Sequence, residues 1–326
     1  MAFLSGASAN EEITLYTHRH YESDQALFEQ FEKETGIDVK VVKASADSLM
    51  ERLKAEGGNT PADVLITADA GRLHKAKEQG LLQPVESEVL IERIPANLRD
   101  PDNNWFGFTE RARIIAYAKD RVKPEELSTY EALAEPQWRG RVLARSSSNI
   151  YNQSLLASII AADGEKEAYK WASGVRKNMA RPPQGSDRDQ MRAVAAGLGD
   201  VAIVNTYYLG LLLNSDNPKD KKVGESLGVF FPNQKGRGTH INISGAGVVA
   251  NASNPDGGKR FLEFLASDQA QESFPESSYE YPAVEGIQWS PLLESWGQFK
   301  QDDLSLSELG ALNAEAIRVF NRAGWE

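Results

Sequence analysis

The chain has 326 residues, too many for one ordinary core and suited to two lobes. Its 47 acidic against 36 basic residues leave a net charge of −11, which argues against a nucleic-acid partner and would draw a cation. There is no cysteine, so disulfides, thiolate metal sites and cysteine nucleophiles are excluded.

The start, MAFLSGASANEE, has a short apolar piece without a basic region before it. Residues 1–10 read as an extension or remnant, not a complete signal peptide. An intact cytosolic start and the edge of an exported mature chain both stay open. No apolar stretch approaches the roughly 20 residues of a membrane span, so no membrane insertion is expected.

From residue 13 strands and helices alternate. ITLYT (13–17) is a strand. DQALFEQFEKETG (24–36) is a helix stopped by Gly36, and IDVKVVKA (37–44) alternates as a strand. ADSLMERLKAEGG (46–58) is helical, ADVLITA (62–68) a strand and DAGRLHKAKEQG (69–80) a third helix. RVLAR (141–145) is again a strand. Helical patterns at 152–164, 165–180 and 187–199 lead to the buried strand DVAIVNT (200–206). GVFFPN (228–233) and HINISGAGVVA (240–250) are strands, and the last third is largely helical. The alternation predicts an α/β fold with a parallel sheet covered on both faces.

NWFGFTERARIIAYAKD (104–120) and GTHINISGAGVVA read as strands crossing between two lobes, which makes each lobe discontinuous and leaves a hinge and a cleft. The expected division is 11–105 plus 236–285 for lobe 1, and 106–235 plus 286–326 for lobe 2. Phosphate-loop, H-E-x-x-H and G-x-S-x-G motifs are absent. GAGVVA (245–250) imitates a dinucleotide fingerprint, but strand-like residues follow it, so close strand packing is the simpler reading.

Of the four histidines, His74 reads as solvated on a helix, and His240 begins a strand. His18 and His20 flank Arg19 in THRHYESD, at the carboxyl end of the first strand where open α/β sheets bind ligands. Ten tyrosines are present. Tyr16 and Tyr117 read as core, and four others carry no signal. Tyr21, Tyr151, Tyr207 and Tyr208 each follow a strand or precede a helix at the edge facing the expected cleft. Singly, each is most simply an aromatic that packs while its hydroxyl meets water. Adjacent Tyr207 and Tyr208 cannot both be core in a regular strand, but both can face a ligand if the strand ends there.

Four convergent phenols suit a hard trivalent cation. Ionising one at pH 7 costs about 4 kcal/mol, and four cost roughly 16. Fe³⁺ can offset that; Ca²⁺ and Mg²⁺ are poor candidates. Four phenolates on Fe³⁺ leave one net negative charge, which needs a buried cation. Arg111 is the candidate, with Arg113 on the same strand face. An ordinary pairing of Arg111 with Glu110 or another surface acid is the competing reading.

LYTHRHYESD, DVLITADAGRL, SSSNIYNQSL, NTYYLG and FPNQKGRGTHINISGAGV together resemble the ferric-ion-binding proteins that serve bacterial ABC importers, nearest their cyanobacterial iron-uptake branch. The resemblance covers essentially the whole chain. It implies a two-lobed periplasmic-binding fold (class II type), one Fe³⁺ in the cleft and delivery to an inner-membrane permease by a monomer with no enzymatic activity. It implies metal ligands at Tyr21, Tyr151, Tyr207 and Tyr208, with His20 as a fifth in some members and Arg111 behind them. Some relatives carry an arginine where this chain has Leu211, which leaves open how the site's charge is compensated. The alternatives are a small-organic-anion binder of the same fold and an intracellular iron-protecting variant.

Overall fold

The computed structural model describes residues 11–19 and 23–326, so the expectations for residues 1–10, His20 and Tyr21 lie outside the described residues. In chain order come β1 (Glu12–Thr17), α1 (Ser23–Thr35), β2 (Asp38–Lys43), α2 (Ala46–Glu56), β3 (Val64–Ala68), α3 (Ala70–Glu78) and α4 (Glu88–Arg93). There follow β4 (Phe106–Ala118), β5 (Val142–Leu143), α5 (Ile150–Asn178), α6 (Asp187–Ala195), β6 (Val201–Asn205), α7 (Thr206–Leu213) and α8 (Pro218–Ser226). The last elements are β7 (Leu227–Phe230), β8 (Ile241–Val248), α9 (Pro255–Leu265), α10 (Asp268–Ser277), β9 (Tyr281–Pro282), α11 (Pro291–Ser295), α12 (Ser307–Ala311) and α13 (Asn313–Ala323).

The strands run in the order β2-β1-β3-β8-β4-β6-β5, with β7 and β9 also paired to β4. The expected parallel sheet is corrected to a mixed one. Strands β1, β2 and β3 pair parallel, as do β5 and β6, but β8 is antiparallel to both β3 and β4. The cause is β8 returning from far along the chain: Ile66 of β3 lies opposite Ala246.

β4 is the beam on which the site is built. Its first half, Phe106–Ala112, pairs with β8, while Arg113–Tyr117 pair with β6. All but Tyr117 of its side chains are buried, including Thr109, Glu110, Arg111 and Arg113. A strand buried on both faces cannot show simple alternation, which is why this segment reads only as aromatic and β-branched.

The C-terminal helix is tied to α5. Trp325 packs its ring 5.7 Å from Trp171 and 4.9 Å from Phe320, and its indole N–H donates to the Arg145 carbonyl at 2.9 Å. α5 is broken at Gly164, whose φ of 82° is left-handed, so the two predicted helical stretches abut at a kink. Helices α4, α7 and α8 went unforeseen. His74 is also not simply solvated: it is half-buried against Gly310 of α12, where a Cβ would stand 2.3 Å from that of His74.

Glu110 faces the other way from Arg111 along β4 and lies opposite Tyr281 of β9. Its Oε2 has no hydrogen-bond partner among the described residues, and burial pushes its carboxyl up to about 8. The nearby Glu285 acts in the same direction, while Gln301 and Arg111 oppose it. The folded state therefore keeps a proton that an unfolded carboxyl gives up near pH 4.3, so stability falls as pH rises from about 4.5 to 8. Glu110→Gln removes that dependence. The variant should match the parent in urea midpoint at pH 4 and exceed it at pH 8; equal midpoints at both would refute the assignment.

Candidate metal centre

Three of the four singled-out tyrosines are described, and all three stand in the first turn of a helix. Asn149 caps α5 by accepting the Tyr151 N–H at 3.2 Å, which presents Tyr151 at the helix start. Tyr207 and Tyr208 begin α7, directly after β6. The expectation that they end a strand is thus corrected: the chain turns helical at Thr206. An unbroken apolar run such as VAIVNTYYLGLLL carries no period to separate strand from helix. Adjacent residues on a helix point about 100° apart, so both rings reach the cleft side of α7 without strand alternation.

The Tyr207 hydroxyl donates to the Tyr151 hydroxyl at 3.4 Å, and the Tyr207 and Tyr208 rings lie 4.1 Å apart at 34°. Two oxygens at that spacing are close to the roughly 3 Å edge of an octahedron with metal–oxygen bonds near 2 Å. Tyr151 and Tyr207 are buried; Tyr208 is half-buried. Burial, with the Tyr151 phenol and the Asp187 carboxylate close by, pushes the Tyr208 hydroxyl up to about 12. Among the described residues no group of three or more His, Asp and Glu is poised to hold a metal, so the oxygen donors gathered here are phenols.

Two charge clusters underlie the phenols. In the first, the Arg111 guanidinium lies 5.6 Å from the Tyr207 ring and donates to Ser244 and Glu280. Glu280 is shared with Arg19, whose Nη1 donates to it at 2.9 Å and whose Nε reaches Asp24 at 3.2 Å. Burial opposes the charge on Glu280, but Arg111 and Arg19 outweigh it and hold the carboxyl below its usual range. The competing expectation, Arg111 paired with Glu110, is not what the geometry gives.

In the second cluster, Arg113 fans out from β4. Its Nη1 donates to Asp187 at 2.7 Å and to Asn205 Oδ1 at 2.9 Å, and its Nη2 to Asn152 Oδ1 at 2.7 Å. Asp187 also accepts the Asn205 N–H at 2.9 Å and lies 3.4 Å from Arg145 Nη1. One carboxylate and one guanidinium thereby tie together the helix start carrying Tyr151 and the strand end that launches Tyr207 and Tyr208.

A cleft of about 300 Å³ opens over these groups, lined by His18 and Arg19 from one side and by Tyr151, Tyr207, Tyr208 and Leu211 from the other. Arg111 and Arg188 also line it, and among the described residues no carboxylate does. Sequence reasoning missed Glu280, Asp187, Arg145 and Arg188, and passed over His18. The nearest available signal was two arginines on one strand face, a pattern that demands two buried acids from elsewhere. On the far side of α7, Gly210 lies against Tyr279, where a Cβ would meet the Tyr279 Cβ at 2.6 Å.

A two-lobed α/β fold that gathers phenols and arginines in its cleft has the make-up of a solute-binding protein. The chain belongs to the bacterial extracellular solute-binding protein family, whose pattern it matches over residues 16–272; its members are non-enzymatic transport components. It is 52% identical over 316 residues to iron uptake protein A1 of Synechocystis sp., covering 97% of this chain and 88% of that protein. A Trichodesmium protein (IdiA, FutA) solved in complex with iron and citrate superposes with a TM-score of 0.95 at 52% identity, over 97% of this chain and 100% of that one. Apo FutA2 from Synechocystis gives 0.93 at 50% identity, over 98% and 100%.

Removing Glu280 strands a buried guanidinium. Glu280→Gln is expected to cost about 3–5 kcal/mol, measured by urea unfolding, with most of that recovered in the Arg111→Met/Glu280→Gln double variant. A single variant as stable as the parent would contradict the pairing.

Proposed function

We propose that this protein captures Fe³⁺ in the interlobe cleft as cargo and passes it to the membrane permease of an ABC importer. The observation that carries the reading is the convergence of Tyr151, Tyr207 and Tyr208 on one cleft, with the Tyr151 and Tyr207 hydroxyls 3.4 Å apart above buried arginine. The iron-uptake and iron-bound relatives support it. So does a relative, the Fe(3+)-binding periplasmic protein of Serratia marcescens, whose setting supports a periplasmic role here. The carrier is taken to meet its permease as a monomer; among the described residues no helix is long and apolar enough to cross a membrane.

The division of labour proposed is 11–105 plus 236–285 for lobe 1 and 106–235 plus 286–326 for lobe 2, with β4 shared along its length. Lobe 2 offers Tyr151, Tyr207 and Tyr208; lobe 1 closes with Tyr21, with His20 as a further ligand, and excludes water. Each phenol releases its proton as its oxygen bonds to the ion, so affinity falls in acid. Tyr208, whose hydroxyl burial raises to about 12, depends on the ion's charge to ionise near neutral pH. Reduction to Fe²⁺ weakens the pull on all of them and favours release.

The three arginines that line the cleft favour a second reading, a small organic anion as the cargo itself. Calorimetric titration separates the two: ferric citrate must bind far more tightly than citrate alone. Under the iron reading, ferric loading should colour the protein through phenolate-to-iron charge transfer, and Tyr207→Phe should weaken or shift that band and lower affinity by at least about tenfold. A colourless ferric-loaded protein, or a Tyr207→Phe variant that binds iron as the parent does, would sink it.

A further inference from the structure

Among the described residues, four that are not glycine hold a left-handed φ: Asp69 at 83°, Asn103 at 59°, Asn233 at 62° and Tyr279 at 58°. The two asparagines lie in turns, where that residue type tolerates the conformation. Asp69 and Tyr279 need another explanation. Asp69 caps α3, yet its ψ of 121° takes it outside the small left-handed basin, and helix caps ordinarily take extended backbone. For a side chain as bulky as tyrosine, a positive φ is an outlier. Such conformations persist only where the surroundings over-determine them, and they gather at functional sites.

Both residues share one further property. Each comes from the half proposed as lobe 1 and lies against a helix that carries a phenol. Asp69 accepts the Ser154 hydroxyl at 2.9 Å on both carboxylate oxygens, and Ser154 stands three residues after Tyr151 on α5. The carboxylate is also fixed by the Gly71 N–H and the Asn242 side-chain amide, each at 2.8 Å, and the Asp69 N–H donates to the Ile243 carbonyl at 2.8 Å. Asp69 and Ser154 are both fully buried. Tyr279 lies against Gly210, three residues after Tyr207 on α7, so closely that a Cβ there would stand 2.6 Å from the Tyr279 Cβ. The next residue, Glu280, is held between Arg19 and Arg111, which restrains the backbone of Tyr279.

From these two contacts we infer that Asp69 and Tyr279 are positioning residues: lobe 1 grips α5 at Ser154 and α7 at Gly210, and so sets the spacing of the Tyr151 and Tyr207 oxygens, which stand 3.4 Å apart. The inference rests on the phenolate reading of the cleft. Three residues is close to one helical turn, so a shift at either contact carries directly to the phenol. Lobe 1 thereby governs phenols that it does not carry.

The test uses the full chain, with ferric affinity measured by competition with citrate and the charge-transfer band recorded at saturating iron. Gly210→Ala forces the new methyl and Tyr279 apart by about 1 Å to reach an ordinary carbon contact. It should shift the band and weaken ferric binding by about tenfold or more, the usual scale for a residue that supports a metal ligand. Ser154→Ala leaves the Gly71 and Asn242 bonds to Asp69 in place and should act in the same direction, to a smaller extent. It carries the test alone if Gly210→Ala does not fold. Affinity within twofold of the parent, with an unmoved band, would overturn the assignment. So would weaker binding with an unmoved band, because the contacts would then act on stability or lobe opening and not on the phenols. A parent protein that loads ferric iron yet stays colourless would instead overturn the phenolate reading beneath it.

Discussion

Two arginines placed two residues apart on one buried strand set the terms for everything around them. Arg111 and Arg113 are 2% and 1% exposed, and a guanidinium so deep is tolerated only if a carboxylate and further acceptors reach it. The acids that do so come from distant sequence, Glu280 beside β9 and Asp187 at the start of α6. Bringing them to β4 requires the chain to leave and return, and the strand exchanges its neighbour from β8 to β6 between the two arginines. The crossing topology and the buried ion pairs are thus two descriptions of one constraint. A charged strand shared by both halves of the sheet would be costly anywhere else in the molecule.

The phenols inherit their placement from that framework. Asn205 has the residue type of a helix cap, yet its side chain makes no cap bond, because its Oδ1 accepts from Arg113 instead. Asn152, one residue after Tyr151, is held by the same guanidinium. First-turn tyrosines also meet the positive end of the helix dipole, which favours an anionic oxygen there by a few tenths of a kcal/mol up to about 1. The effect is small beside that of a trivalent ion. It acts in the same direction at all three residues.

Much of this was legible in the sequence where the signal is local. Glycine stops closed α1 and α2 where ETG and EGG said they would, and the long strand from Phe106 and the return strand from Ile241 were both visible. Tyr151, Tyr207 and Tyr208 were picked out by their position at element junctions, and the structure brings these three together. What failed to show was non-local. A parallel sheet was expected because strands alternated with helices; nothing near β3 announces that its neighbour comes from residue 241 onward. Asp187 read only as a helix start, in a Ser186–Asp189 capping box that is real but incidental to its ion pairs. Glu280 carried no local signal, since its importance lies 169 residues away at Arg111.

β4 is thirteen residues of continuous strand serving both halves of the sheet. At about 3.3 Å per residue it is a rod roughly 40 Å long, with no loop at its middle to absorb a change of angle. Any change of angle between the two halves would then be taken up by flexing and twisting the sheet, as in a leaf spring. A bend of about 15° acting over half that length moves a tip by roughly 5 Å, more than twice a metal–oxygen bond. An elastic motion that small would exceed the reach of a single coordination bond.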